Sequence, residues 1–367
     1  MRRLFSAVSA FDYILYGSSA LLLLLGLLMI FSTTLDSGNR LFYRQLVFFG
    51  FGVILMWLIS VFDYRKLKKS TGILFILINL FLIFVWLFGS QVRGSSRWIN
   101  LGFFALQPAE LAKVIMVIIL AKYLDQQGER LKSFWYVVRS AFYIGIPAFL
   151  VLVEPDLGSA LILLLVWFSM LVFSAMSKKH LLILILVSVV LAGFSWQFFL
   201  HDYQKQRIYT FLDPSKDPQG SGYNVIQSTI AVGSGGMWGR GVGRGLQSQL
   251  EFLPERQTDF IFASTAEELG MAGSMIVLLM YAVFLYRLVL TAQIARDNFG
   301  MYICVGIFFM FFWQTLINIG MNIGIMPVTG IPLPLVSYGG SSLLNSLLAI
   351  GLAQSVYSRR KALHFGS

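Results

Sequence analysis

Asp259 stands where the polar run Pro254-Glu255-Arg256-Gln257-Thr258 gives way to the apolar run Phe260-Ile261-Phe262-Ala263. A carboxylate at such a junction has two readings. It can cap the N-terminus of a helix that begins there, or it can serve as a general base at a membrane surface, partial desolvation moving its pKa toward neutrality. Glu267 and Glu268 follow two turns later. At about 100° per residue they fall about 80° and 180° around the helix from Asp259, so they cannot both share its surroundings. At least one is expected to bond a neighbouring helix, and structural roles are expected for both. Glu110 and Lys113 come directly after Gln107-Pro108, whose proline suits the first turn of a helix. Their i,i+3 spacing makes them neighbours on one face. They read either as an ion pair tying helices together or, lying within about 8 Å of the helix start, as a charged wall of an outward-open cavity.

Three further groups carry chemistry. Glu154-Pro155-Asp156 breaks two apolar stretches apart, with Asp156 placed either to cap the next helix or to face a cavity. The glycines from Gly233 to Gly245, with Arg240 and Arg244 among them, can form a backbone nest with cationic arms for phosphate, although their spacing fits no nucleotide motif. The run from Gly330 through Pro332, Pro334, Ser337, Gly339 and Gly340 to Ser342 lies beside an apolar span. Non-helical backbone at membrane depth must be buried in protein or line a wet cavity, which puts Ser337, Gly339 and Gly340 among the cavity candidates. The lone Cys304 and the scattered His180, His201 and His364 offer neither a disulfide nor a clustered metal site.

The elements that hold these residues follow from composition. Of 367 residues, 57% are hydrophobic and 12% charged, about half the charged fraction of a soluble domain. Lipid must therefore be the solvent, and the fold class is an all-α integral membrane protein. The net charge of +11 does not point to nucleic acid, because the basic residues flank apolar spans, where they set topology and meet anionic headgroups. At about 20 apolar residues per crossing, ten stretches qualify, at about 11–32, 43–62, 71–89, 108–124, 136–153, 157–176, 180–200, 260–290, 300–321 and 340–358. The Met-Arg-Arg start leads into the first of them without a cleavage site and reads as a span rather than a signal peptide. With the N-terminus inside, seventeen Lys and Arg fall on the cytoplasmic side, and only Arg40, Arg44, Arg93 and Arg97 fall in short outer loops. That asymmetry puts both termini in the cytoplasm. The Glu154–Asp156 turn and residues 201–259 then face outward. The latter segment holds Tyr209, Phe211, Tyr223, Ile226, Trp238, Leu250 and Phe252, too apolar for disorder, and is expected to form one structured cap between the seventh and eighth helices.

Four motifs in series resemble one known family. They are Arg97-Trp-Ile-Asn-Leu-Gly with Gln107-Pro-Ala-Glu-Leu-Ala-Lys113, then Glu154-Pro-Asp-Leu-Gly-Ser-Ala160. The third runs from Gln247 through Leu253-Pro-Glu-Arg-Gln-Thr-Asp259 to Phe262, with Ala266-Glu-Glu-Leu-Gly270, and the fourth is Pro332-Leu-Pro-Leu-Val-Ser-Tyr-Gly-Gly-Ser-Ser342. The chain is similar over essentially its whole length to the shape, elongation, division and sporulation (SEDS) family, and to its rod-elongation branch more than its division branch. The resemblance implies a ten-span peptidoglycan glycosyltransferase in the bacterial cytoplasmic membrane, polymerising lipid II during cell elongation. It also implies a class B penicillin-binding protein as transpeptidase partner, other elongation-complex membrane proteins and membrane lipids as neighbours, and no nucleic acid. The family's catalytic aspartate falls on Asp259, and its paired acid and base on Glu110 and Lys113. Arg97 and Asp156 join the candidate cavity through the family motifs. Under that reading Asp259 takes the proton of a GlcNAc C4 hydroxyl, while Lys113, Arg207, Arg240 and Arg244 are candidates to meet the charge on the departing undecaprenyl pyrophosphate. No tightly bound cofactor is implied; a divalent cation, magnesium or manganese, is left open to share that task. One departure is Gln257, where rod-elongation members often carry histidine. Two other functions fit the same cavity, a lipid II flippase and a non-catalytic scaffold for the penicillin-binding protein.

Overall fold

The computed structural model describes residues 11–35, 38–92, 95–100, 102, 105–198, 202–218 and 220–360. Arg2, Arg3, Arg93, His201, Lys361 and His364 lie outside the described residues. In chain order the elements are α1 (Tyr13–Thr33), α2 (Arg40–Val61), α3 (Leu67–Phe88), β1 (Ser90–Val92), β2 (Ser95–Asn100), β3 (Ala105–Leu106), α4 (Pro108–Gln127), α5 (Phe134–Val153), α6 (Leu157–Val172) and α7 (Lys178–Phe198). They continue with α8 (Asp202–Leu212), α9 (Ser221–Ser234), α10 (Leu246–Gln249), α11 (Ile261–Gln293), α12 (Asn298–Asn322) and α13 (Gly340–Ser358).

A helix coincides with each of the ten expected stretches. Seven of them, α1, α2, α3, α5, α7, α11 and α12, are long and apolar enough to cross a membrane, and α6 is a shorter apolar helix. The other two have a physical reason for lower hydropathy. Most side chains of α4 and α13 are buried, and a helix largely enclosed by protein needs little lipid-compatible surface, so it can carry Glu110, Lys113, Asn345 and Gln354. The outer helices show the reverse pattern. Phe51, Ile54 and Trp57 on α2, Ile73 and Ile76 on α3, Phe142 and Phe149 on α5, and Val189 and Val190 on α7 all face outward, which is stable only against lipid.

The sequence reading missed a small antiparallel sheet, in which β2 pairs with β1 and β3. It bridges the end of α3 to the start of α4. The described residues of the segment 202–259 include α8, α9 and α10.

The eighth expected stretch is not one continuous helix. Backbone at Gly270 takes φ 69° and ψ −167°, which breaks α11 into two. The glycine-rich segment after α9 fills the break. Arg240 N and Gly241 N donate to the carbonyls of Glu267 and Glu268 at 3.0 and 2.9 Å, while Met271 N and Ala272 N donate to the carbonyls of Gly236 and Met237 at 2.9 and 3.1 Å. The loop thus supplies what a continuous helix would have supplied, donors to one half and acceptors to the other. The two glutamates complete the joint. Glu267 accepts from Gln247 N at 2.8 Å, Ser248 N at 3.1 Å and Ser248 Oγ at 2.8 Å; Glu268 Oε2 accepts from Ser32 Oγ at 2.5 Å and Gly243 N at 3.1 Å. Both bond neighbouring elements, in keeping with the structural roles expected of them.

A Cβ at Gly270 would run into the backbone N of Gly239, in a left-handed conformation that already disfavours a side chain. Gly270→Ala should therefore lower the thermal unfolding midpoint in detergent by several degrees, a cost of about 1–3 kcal/mol. Gly233→Ala, on α9 with open space around it, should leave the midpoint unchanged or raise it. Equal midpoints for the two variants would rule out the splice as a structural joint.

Candidate functional site

The turn that carries Asp259 is held from behind through three consecutive carbonyls. Gln257 O accepts from Tyr338 N at 2.8 Å, Thr258 O from Ser337 Oγ at 2.6 Å, and Asp259 O from Asn318 Nδ2 and Asn322 Nδ2 at 2.9 and 3.0 Å. The donors come from α12 and from the loop before α13. Asn322 Oδ1 also accepts from Ala263 N at 2.9 Å, so the amide of α11's first turn is satisfied from another helix. With its backbone fixed, Asp259 is left partly exposed, not sealed in protein. Gly330, exposed and at φ 76°, lies across from the carboxylate: a Cβ there would sit 3.6 Å from Asp259 Oδ2. Any larger residue at that position would be strained and would crowd the acid.

The loop 329–331 connects this turn to the second acidic group. Asn318 Nδ2 also donates to Ile331 O at 2.8 Å, and on the loop's other side a Cβ at Gly158 would lie 2.9 Å from Thr329 O. Asp156 is buried and caps α6, accepting from Ser159 N at 3.0 Å and Ser159 Oγ at 2.9 Å. Of its two readings, the cap holds. Gln107 Nε2 donates to Asp156 Oδ2 at 2.8 Å, and Gln107 N donates to Ser341 Oγ at 3.1 Å. Arg97, on β2, clamps the same turn: Nε donates to Glu154 O at 3.0 Å, Nη2 donates to Pro155 O, and Nη1 lies 3.9 Å from Asp156 Oδ1. The missed sheet is what carries Arg97 there.

Glu154 is 0% exposed, and neither carboxyl oxygen finds a hydrogen-bond partner among the described residues. Burial pushes its pKa up to about 8, reinforced by the negative charge of Asp156 and opposed by Arg97.

Glu110 and Lys113 sit one turn into α4, with Pro108 at its first turn as expected. Lys113 Nζ donates to Glu110 Oε1 at 2.7 Å, and both residues are buried. The expected wall of an open cavity is therefore a closed interior pair in this structure, because α4 packs against α3, α6, α12 and α13. Ser337, Gly339 and Gly340 serve the scaffold. Ser337 Oγ accepts from Leu333 N at 2.8 Å as it donates to Thr258 O. Gln45 of α2 brackets the pair, donating to Ser337 O at 3.3 Å and accepting from Gly339 N at 3.2 Å, and Gly340 abuts the Phe48 ring.

The basic candidates lie elsewhere. Arg207 is partly exposed on α8. Arg240 and Arg244 are exposed beside the α11 break; Arg240 N bonds Glu267 O, eight residues and about 12 Å along α11 from Asp259. The backbone nest expected for phosphate is not formed. Gly239 N donates to Gly235 O, Arg240 N and Gly241 N to the helix end, Gly243 N to Ser32 Oγ and Glu268 Oε2, and Arg244 N to Gly241 O. The glycines are spent on splicing α11. Sequence reasoning overlooked Asn318, Asn322, Gln45, Gln107 and Arg256. The last is buried, paired with Glu251 Oε1 at 2.9 Å and donating to Thr33 O at 3.2 Å. A signal existed for the asparagines, two amides at i,i+4 in an otherwise apolar helix. Gln257, at the departure from the family pattern, donates to Thr33 O at 3.4 Å.

Two stability tests follow. Asn322→Leu keeps the branched shape and removes four hydrogen bonds, leaving Ala263 N without its partner; a loss of about 1–3 kcal/mol is expected in thermal unfolding. A loss within error of zero would show that water replaces the amide. For Glu154 the folded pKa lies above that of the unfolded chain, so its contribution is fully present below the ordinary carboxylate range and is lost as pH rises to about 8. Glu154→Gln, which cannot ionise, should gain on wild type by at most about 1.4 kcal/mol for each pH unit in that window, then hold a constant advantage. Parallel midpoint-versus-pH curves for the two proteins would mean that the buried carboxyl carries a compensated charge.

The model for the family of cell cycle proteins FtsW, RodA and SpoVE matches residues 13–362. The peptidoglycan glycosyltransferase MrdB of Escherichia coli K12 is 36% identical over 358 residues, 96% of each chain. Among solved structures, a chain of a peptidoglycan synthase complex that coordinates polymerization and crosslinking superposes with a TM-score of 0.81 at 33% identity, covering 95% of this chain and 97% of that one. The rod shape determining protein RodA of Thermus thermophilus superposes with a TM-score of 0.73 at 29% identity, covering 96% and 98%. These likenesses agree with the motifs and favour the rod-elongation branch. The chain belongs to the FtsW/RodA/SpoVE family of cell cycle proteins, the SEDS family.

Proposed function

We propose that this chain is a peptidoglycan glycosyltransferase that polymerises lipid II on the outer face of the bacterial cytoplasmic membrane, with Asp259 as its general base. The observation that carries the reading is the Asp259 turn: a partly exposed carboxylate on a backbone anchored at three successive carbonyls, with a glycine keeping the space beside it open. A general base needs this combination, because proton transfer requires fixed geometry and access to the substrate hydroxyl. Asp259 accepts the C4 hydroxyl proton of the acceptor GlcNAc as that oxygen attacks C1 of the lipid-linked MurNAc. The C1–oxygen bond to undecaprenyl pyrophosphate breaks, with inversion at C1. Arg207, partly exposed on α8, is the candidate to supply positive charge for the leaving pyrophosphate. Among the described residues no three His, Cys, Asp or Glu gather to hold a metal ion.

The accompanying topology has ten spans, both termini in the cytoplasm, and residues 201–259 outside, on the asymmetry of basic residues. A class B penicillin-binding protein is the proposed partner, since a chain with 33% identity belongs to a synthase complex that couples polymerization to crosslinking. One feature favours a flippase instead: broken helices are a hallmark of transporters. In α11, however, the exposed backbone groups at the break are bonded by the 236–241 segment and are not available to a travelling substrate.

Purified chain and partner, given lipid II on the outer side only, should yield glycan strands on a gel. Asp259→Asn keeps the side-chain shape and should reduce synthesis by about 10² or more. Strands made at near wild-type rate by Asp259→Asn would remove the general base; none made by the wild-type pair would leave the flippase or the scaffold.

A further inference from the structure

The segment that splices α11 ends in an exposed apolar tip. Met237 and Trp238 are 63% and 84% exposed. Their backbone cannot swing away to hide them, since Gly236, Met237, Gly239, Arg240 and Gly241 all hold hydrogen bonds to α9 or to the two halves of α11. Large side chains kept in the open by a fixed backbone mark an interaction surface.

What covers the tip is indicated by its neighbours. Past Gly270, Met271, Met275, Ile276 and Leu279 on the second half of α11 are also exposed, so the tip continues the apolar flank of a helix able to cross a membrane. On the other side, Arg240 and Arg244 are exposed. Aliphatic, then aromatic, then cationic is the order of a membrane boundary: acyl chains, aromatic belt, phosphates. The dimensions agree. Residues 271–293 extend about 34 Å at 1.5 Å per residue, enough for a hydrocarbon core of about 30 Å, which places Gly270 and the tip at its edge.

We propose that the Met237–Trp238 tip is a membrane-surface anchor: the two side chains enter the headgroup–acyl boundary of the outer leaflet, and Arg240 and Arg244 engage the phosphates of anionic phospholipids. The outward side rests on the topology proposed above; insertion does not. Because Arg240 N and Gly241 N hold the first half of α11, the anchor sets the height of Asp259 over the lipid surface, where a lipid-linked sugar must meet it.

Cys304 is fully buried, so an introduced cysteine can be labelled alone. Trp238→Cys and, separately, Met237→Cys should be labelled with the fluorophore NBD in vesicles of phosphatidylethanolamine and phosphatidylglycerol. Blue-shifted emission is expected, with quenching by shallow spin-labelled lipid several-fold stronger than by aqueous iodide. At the exposed Lys216→Cys the preference should reverse. Exchanging Arg240 and Arg244 for Gln should weaken the dependence of the shift on phosphatidylglycerol. Iodide quenching at 237 and 238 as strong as at 216 would overturn the anchor. So would a blue shift that arises only when the partner protein is added. Dithionite applied outside right-side-out vesicles reports the side separately: a protected label at 216 with lipid quenching at 238 would reverse the topology and keep the insertion.

Discussion

A peptide N–H or C=O left unpaired at membrane depth costs several kcal/mol, and the architecture of this chain can be traced to that cost. Three non-helical segments enter the outer end of the bundle: 235–245, 254–260 and 329–339. None is left to solvate itself. The first is bonded into the break of α11, the second hangs by its carbonyls from α12 and the third segment, and the third is tied to Gln45 of α2 and Asn318 of α12. The second and third segments are also bonded to one another, through Tyr338 N to Gln257 O and Ser337 Oγ to Thr258 O.

This interdependence explains the unusual company of the Asp259 carboxylate. Asn318, Asn322, Ser337 and Gln45 are all buried, a costly placement for polar side chains unless each has its partner. They supply the donors that backbone carbonyls in a turn cannot find for themselves, and in doing so fix the acid in place before any substrate arrives. Glu267 and Glu268 act likewise, as acceptors for the amides of 243–248. Asp259 itself is partly exposed on this scaffold.

Charge is handled differently at the two ends. The end bearing the chain termini is closed by ion pairs: Arg287 with Asp12 at 2.8 Å, Arg65 with Asp63 at 2.7 Å, and Lys68 with Asp125. At the other end, carboxylates meet mostly amides and hydroxyls. The buried Glu110–Lys113 pair offsets part of its desolvation cost in a direct contact at 2.7 Å. Glu154 has no such contact, and burial raises its pKa to about 8, which favours the protonated form near neutral pH.

Much of this was legible in one dimension. The bilayer demands long apolar runs, so the positions of the helices could be read from hydropathy, and Asp259, Glu110, Lys113 and Asp156 stood out because ionisable groups are rare in such runs. The angular spacing of Glu267 and Glu268 showed that they cannot both share the surroundings of Asp259, and structural roles were expected for both. The break at Gly270 was not legible, since the residues that repair it lie some thirty positions earlier in the chain and no local pattern announces the pairing. The glycines of 233–245 suggested a phosphate nest because a run of flexible residues shows that amides can converge, not what they converge on. The short β-sheet and the closed state of the Glu110–Lys113 pair escaped for the same reason. Periodicity reports which face of a segment prefers lipid, whereas hydrogen-bond partners and access to solvent depend on which segments arrive together, and only the packed structure decides that.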